Sequence, residues 1–186
     1  STIHGGDRSQ DKVLVATPPE GLDRGAIAMS AQVNLGDPAE PEMIQRMARI
    51  TTVSHEKSIP VLGMFYPRGR NLILDDSDST SGVAHAARLA WELGCNVVKV
   101  PWTGSEESFG IVTTSVPIPV LVSGGPKDDD FGKVLKLVEK SINAGGSGVC
   151  MGRNVFSSED PASRIRALRS IVHEGANAEE ASRHLR

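Results

Sequence analysis

Asn96-Val97-Val98-Lys99-Val100-Pro101-Trp102-Thr103-Gly104 is a short apolar run with one charge inside it, and its reading decides the fold. The β-branched residues predict a buried strand, and Pro101 ends it. Burying an ammonium without a partner is costly, so a lysine here either snorkels to water at the strand end or is kept for its amine, the form that attacks carbonyl carbons.

On either side of this run, strand and helix patterns alternate. Pro60–Tyr66 reads as the preceding strand, and a helix over Ser81–Leu93 ends at Gly94. Earlier still, Ala26–Asn34 reads as a strand, and the segment from Glu40 to about Lys57 carries Met43, Ile44, Met47, Ile50 and Val53 at helical spacing. Lys12–Ala16 is expected as a further short strand, followed by a helix opened by Thr17-Pro18. After the lysine strand come a helix over Glu106–Ser115, a strand over Val120–Ser123, a helix over Asp128–Ala144 and a strand over Val149–Met151. Helices over about Pro161–His173 and Ala178–Leu185 follow. This alternation predicts a parallel sheet in one α/β domain spanning residues 1–186, either doubly wound or a barrel.

Composition narrows the partners. A net charge of −3 over 186 residues argues against nucleic acid or an anionic membrane surface, and no apolar run approaches the roughly 20 residues of a membrane-spanning helix. Cys95 and Cys150 each adjoin a strand and read as two buried thiols of a reducing compartment, the cytoplasm. Small molecules and other subunits remain as partners.

In a parallel α/β fold the chemistry gathers at the carboxyl ends of the strands. Those ends offer Gln32 and Asn34, then Tyr66 with Arg68, then Lys99 with Trp102 and Thr103, then Ser123-Gly124-Gly125, then Gly152-Arg153-Asn154. Two successive glycine turns leave backbone N–H groups for an anion, and Arg153 adds a forked cation suited to phosphate. Each turn alone is also ordinary turn chemistry, but barrel enzymes commonly bind phosphate on the loops after their last two strands.

Tyr66-Pro67-Arg68-Gly69, Val98-Lys99 with Thr103-Gly104, Ser123-Gly124-Gly125-Pro126-Lys127 and Met151-Gly152-Arg153-Asn154-Val155-Phe156 together resemble the archaeal-type class I aldolase family. That family includes fructose-1,6-bisphosphate aldolases, 2-amino-3,7-dideoxy-D-threo-hept-6-ulosonate synthases and a quorum-signal thiolase. The resemblance implies a (β/α)8 barrel of which this chain covers strands 4 to 8, without the N-terminal third; a complete barrel takes about 250 residues. It implies a cytoplasmic Schiff-base aldolase or transaldolase acting on phosphorylated keto-sugars and aldehydes, heptulosonate synthase-like, with fructose-bisphosphate aldolase and a non-catalytic phosphate-binding unit as alternatives.

Carried over by position, Lys99 forms the imine and Tyr66 donates the proton, while Ser123, Gly124, Gly125, Gly152 and Arg153 hold the substrate phosphate. Arg68, Trp102 and Gln32 complete the substrate pocket. No cofactor and no metal are implied, and the family's decamers imply a homo-oligomer. The family's first-strand aspartate, which takes part in proton transfer, has no counterpart here. Trp102 and Gln32 stand where the family usually has Tyr and His.

Overall fold

A computed structural model describes residues 11–72 and 78–185. Five strands, β1 (Met29–Leu35), β2 (Val61–Pro67), β3 (Val97–Val100), β4 (Val120–Ser123) and β5 (Gly148–Cys150), form one sheet in the order β1-β2-β3-β4-β5. Every neighbouring pair is parallel. Helices α2 (Glu40–Glu56), α3 (Thr80–Glu92), α4 (Glu106–Thr114) and α5 (Phe131–Asn143) make the crossovers, and a short α1 (Pro18–Asp23) precedes β1. After β5 come α6 (Arg153–Phe156), α7 (Pro161–Glu174), α8 (Ala178–Ser182) and a 3-10 turn over Arg183–Leu185. A doubly wound sheet reverses its strand order at a switch point. This one never reverses, so of the two architectures the sequence left open it is a length of barrel wall.

The two faces of the sheet agree with that reading. Val33, Leu35, Val61, Phe65, Val98, Val100, Val120 and Val122 alternate along the strands and are buried beneath the helices with Met43, Met47, Val83, Ala86, Phe109 and Val112. Burial of each Val, Leu, Phe or Met among them contributes roughly 1.5–3 kcal/mol. Their alternates, Leu62, Met64, Val97, Lys99 and Leu121, are only half-buried. They belong to the face that lines a barrel's interior. A second cluster, Phe131, Val134, Leu135 and Val138 of α5 against Ala167, Leu168 and Ile171 of α7, seats the C-terminal helices.

Four segments differ from the sequence expectation. Lys12–Ala16 forms no strand: it runs past β1 and α2 without a ladder, leaving Val13 and Val15 67% and 91% exposed. The first strand begins at Met29 rather than Ala26, because Gly25 takes φ +83° and Ala26 N–H is used to close α1 on Gly21 O. The fifth helix starts at Phe131 rather than Asp128; Asp130 caps it through Gly132 N–H, while Asp128 N–H is held by the Asn154 side chain. The segment after Gly152, expected as a turn, continues as the single-turn helix α6.

Candidate functional site

Strand register fixes which side chains meet. Gln32, Met64, Lys99, Leu121 and Gly148 form one row across the sheet on the open face. One step toward the carboxyl ends on the same face, Asn34 pairs with Tyr66 and Ser123 with Cys150. Lys99 thus stands at mid-sheet with Tyr66 one strand away and one layer nearer the strand ends. Both line a cavity of about 490 Å³, together with Arg68, Ser123, Gly124, Gly125, Gly152 and Arg153. Eight of the ten predicted catalytic, phosphate and pocket residues line it: Tyr66, Lys99 and Ser123 from the strands, and Arg68, Gly124, Gly125, Gly152 and Arg153 from the segments just past the strand ends.

Its two ends are built differently. At the β4/β5 end, Gly124 is pressed against Met151, where a Cβ would come within 2.4 Å of the Met151 Cβ. Gly125, at φ +62°, and Gly152 face open space. Neither donates its N–H to a protein acceptor among the described residues. Arg153 reaches across the gap, its Nη2 donating to Gly125 O at 3.1 Å. At the opposite end the Arg68 guanidinium lies 4.4 Å over the Tyr66 ring and donates through Nε to Asn34 Oδ1 at 3.0 Å. Partial burial pushes the Arg68 guanidinium below its usual range; the Tyr66 hydroxyl opposes that shift and Arg153 adds to it. Two guanidiniums, one at each end, therefore face one cavity together with Lys99, a setting that favours an anion.

Two pocket residues expected from the resemblance do not line this cavity. Trp102 turns away, because Pro101 ends the strand and the indole packs on Phe109 of α4 at 5.0 Å, covering the core. Gln32 lies in the row of Lys99 but two strands away, and its amide donates to Asn34 Oδ1 at 2.9 Å, so it acts on Arg68 through Asn34. Cys150 is not the buried thiol expected; it is half-buried and lines the cavity. Cys95 is buried, and desolvation pushes its thiol up to about 12.

Asn154 does more than end a turn. Its buried side chain accepts from Asp128 N–H at 2.8 Å and donates to Gly124 O at 2.6 Å and Pro126 O at 3.0 Å, tying the loop after β4 to the loop after β5. Its own carbonyl accepts from Arg164 Nη1, whose guanidinium stacks on Phe131 at 4.5 Å. An Asn after a Gly-Arg pair is the sequence signal that pointed here, but without the partner loop it reads only as turn chemistry. No group of three or more His, Cys, Asp or Glu side chains among the described residues is placed to hold a metal ion. None of the described helices is long and apolar enough to cross a membrane.

Known proteins are similar to this chain in sequence and in fold. A 2-amino-4,5-dihydroxy-6-oxo-7-(phosphonooxy)heptanoate synthase of Streptomyces griseus is 38% identical over 173 residues, which is 93% of this chain and 62% of that protein. The 2-amino-3,7-dideoxy-D-threo-hept-6-ulosonate synthase 1 of Archaeoglobus fulgidus is 39% identical over 170 residues, 91% of this chain and again 62% of the relative. An archaeal fructose 1,6-bisphosphate aldolase of known structure superposes with a TM-score of 0.81 at 33% identity, over 88% of this chain and 64% of that one. Another such structure holds its catalytic lysine covalently bound to the carbinolamine intermediate of the substrate; it superposes with a TM-score of 0.80 at 32% identity, over 86% of this chain and 63% of that one. The chain therefore spans a little under two thirds of the length of these relatives. Residues 1–158 match the DeoC/LacD family aldolase model, and the chain belongs to that family.

Proposed function

We propose that the protein carrying this chain is a class I aldolase that forms an imine between Lys99 and a phosphorylated ketone, needs no cofactor, and resembles the heptulosonate synthases in the bond it makes. The observation that carries the reading is a half-buried lysine at mid-sheet, sharing one cavity with a phenol on the next strand and a glycine-arginine anion cradle beyond. The Lys99 amine attacks the ketone carbon and water departs. The resulting iminium draws electrons from the adjacent carbon, so the neighbouring C–C bond can form or break. Tyr66 moves the proton on the oxygen of the partner carbonyl, as a general acid in one direction and a base in the other. Gly125, Gly152 and Arg153 hold the phosphate beside the imine, and Ser123 and Gly124 shape the wall between them.

The streptomycete relative's named product supplies the substrate pattern. A ketone at C6 with a hydroxyl at C4 is what an aldol addition leaves, so in such a product the bond made joins C4 to C5. Reversing it gives a phosphorylated three-carbon ketone and a four-carbon aldehyde bearing an amine and a carboxylate. A reducing cytoplasm is supported by the two free thiols, and a homo-oligomer by the family alone.

Borohydride added to the full-length protein with the phosphorylated ketone should leave an adduct that peptide mass analysis locates on Lys99. An adduct on another lysine, or none, sinks the assignment. Replacing Arg153 by alanine should weaken phosphate-ester binding by about 1.5–3 kcal/mol, the range for a hydrogen bond to a charged group. Titration calorimetry reads this directly, and unchanged affinity would move the phosphate elsewhere.

A further inference from the structure

The geometry points to a second charged subsite, formed by Asp37, Arg68 and Arg70 at the ends of β1 and β2, that binds the amine and carboxylate of the aldehyde partner. This rests on the aldolase reading above and adds to it the residues that select the second substrate.

Sheet order sets the direction. The anion cradle lies beyond β4 and β5, Lys99 is on β3, and β2 and β1 follow on the far side. A ketone whose phosphate occupies the cradle offers its reacting carbon away from it, toward β2. Neighbouring strands are about 4.8 Å apart, so a four-carbon aldehyde joined at that carbon carries its charged end one to two strands past Lys99. A separate cavity of about 950 Å³ opens there, and Arg68 lines both it and the Lys99 cavity.

That place is built, not incidental. The loops after β1 and β2 touch backbone to backbone: a Cβ at Gly69 would lie 1.8 Å from the Gly36 carbonyl carbon and 2.0 Å from Asp37 N. Gly69 N–H donates to Leu35 O at 2.8 Å and Asn71 N–H to Gly36 O at 2.9 Å. Asp37, Arg68 and Arg70 line the same cavity around this contact.

Charge at the site is opposed in sign and partly uncommitted. Arg46 is paired with Asp11 at 3.4 Å on the same wall. Arg68 is aimed by the fully buried Asn34 through Nε alone, and its terminal nitrogens donate to no protein acceptor among the described residues. Arg70 has no hydrogen bond or ion pair with any described residue. Asp37 accepts from Ala39 N–H through Oδ1 and no described donor hydrogen-bonds its other oxygen, though its charge also acts on nearby Lys12, and Glu42 adds a second carboxylate to the wall. Cationic donors and a carboxylate on the wall of one cavity match an α-amino carboxylate, with the acid on the arginines and the ammonium on Asp37.

The test uses the full-length protein, with the phosphorylated ketone held constant and three aldehydes compared. These are the four-carbon α-amino acid aldehyde, an unsubstituted aldehyde of the same length, and a phosphorylated aldehyde. Arg70→Ala and Asp37→Asn are each expected to lower kcat/KM for the amino acid aldehyde by about 10- to 100-fold, with under about threefold change for the unsubstituted one. Borohydride trapping of the ketone on Lys99 should be unaffected by either variant. Equal losses for both aldehydes, or no loss for either, overturns the subsite. A loss confined to the phosphorylated aldehyde overturns the amino acid assignment. Failure of the unaltered protein to trap the ketone on Lys99 instead overturns the aldolase reading itself, so the two failures are distinguishable.

Discussion

Arginine in place of Lys99 is expected to lower turnover by at least about 10³-fold and to eliminate the borohydride adduct, while the protein still binds inorganic phosphate. Guanidinium stays protonated at any pH the protein meets and has no free lone pair for a carbonyl carbon, yet it keeps the positive charge. The substitution thus separates nucleophile from cation. Lys99 lies in a row whose β2 and β4 neighbours are Met64 and Leu121, so a longer side chain of the same charge meets apolar contacts rather than a competing acid. Tyr66→Phe is the companion. It should retain the adduct and lose about 10²- to 10⁴-fold in turnover, because general acid–base help is removed without touching imine formation. Substantial turnover in Lys99→Arg, read by single-turnover kinetics, would move the nucleophile to another residue.

Alanine at Gly69 should destabilise the fold by about 3 kcal/mol or more, visible as a lowered midpoint in urea unfolding. The added methyl would meet three backbone atoms of Gly36 and Asp37 between 1.8 and 2.2 Å away, and no rotamer change relieves a clash with main chain. Relief requires the loops after β1 and β2 to part, breaking the bonds from Gly69 N–H to Leu35 O and from Asn71 N–H to Gly36 O. Gly110→Ala, in the interior of α4 where a Cβ meets nothing within 4 Å, serves as the contrast. It should be neutral or stabilising by up to about 1 kcal/mol, since alanine favours helix over glycine. Similar stabilities for the two variants would mean that the two loops are not in contact in solution.

How far the sequence carried the reading depends on the distance between the partners involved. Alternating apolar periods located all five strands, because each strand's buried face repeats every second residue and each crossover helix has its own period. Lys99 was legible as a charge within a run of valines, and the sheet then delivered Tyr66 to it through nothing more than register. What remained hidden depends on contacts between loops distant in the chain. Asn154 spans to Gly124 and Pro126, Gly69 meets Gly36, and Asn34 aims Arg68. Trp102 was misplaced for a related reason: its neighbours along the chain pointed to the cavity, whereas burying the indole against Phe109 decided its direction. Lys12–Ala16 had a strand's composition but no partner beside it, and composition cannot supply a ladder.

The unreversed strand order bears on how such a wall is put together in time. Among the described strands every ladder joins a strand to its immediate successor in the chain, so none of these pairings waits for a partner synthesised later than the next strand. During synthesis the wall can grow by accretion, each emerging helix and strand docking onto an edge that already exists. Defects then have a polarity. A weakened β2 removes the template for everything after it, whereas a weakened β5 leaves β1 to β4 assembled and the anion cradle alone unfinished.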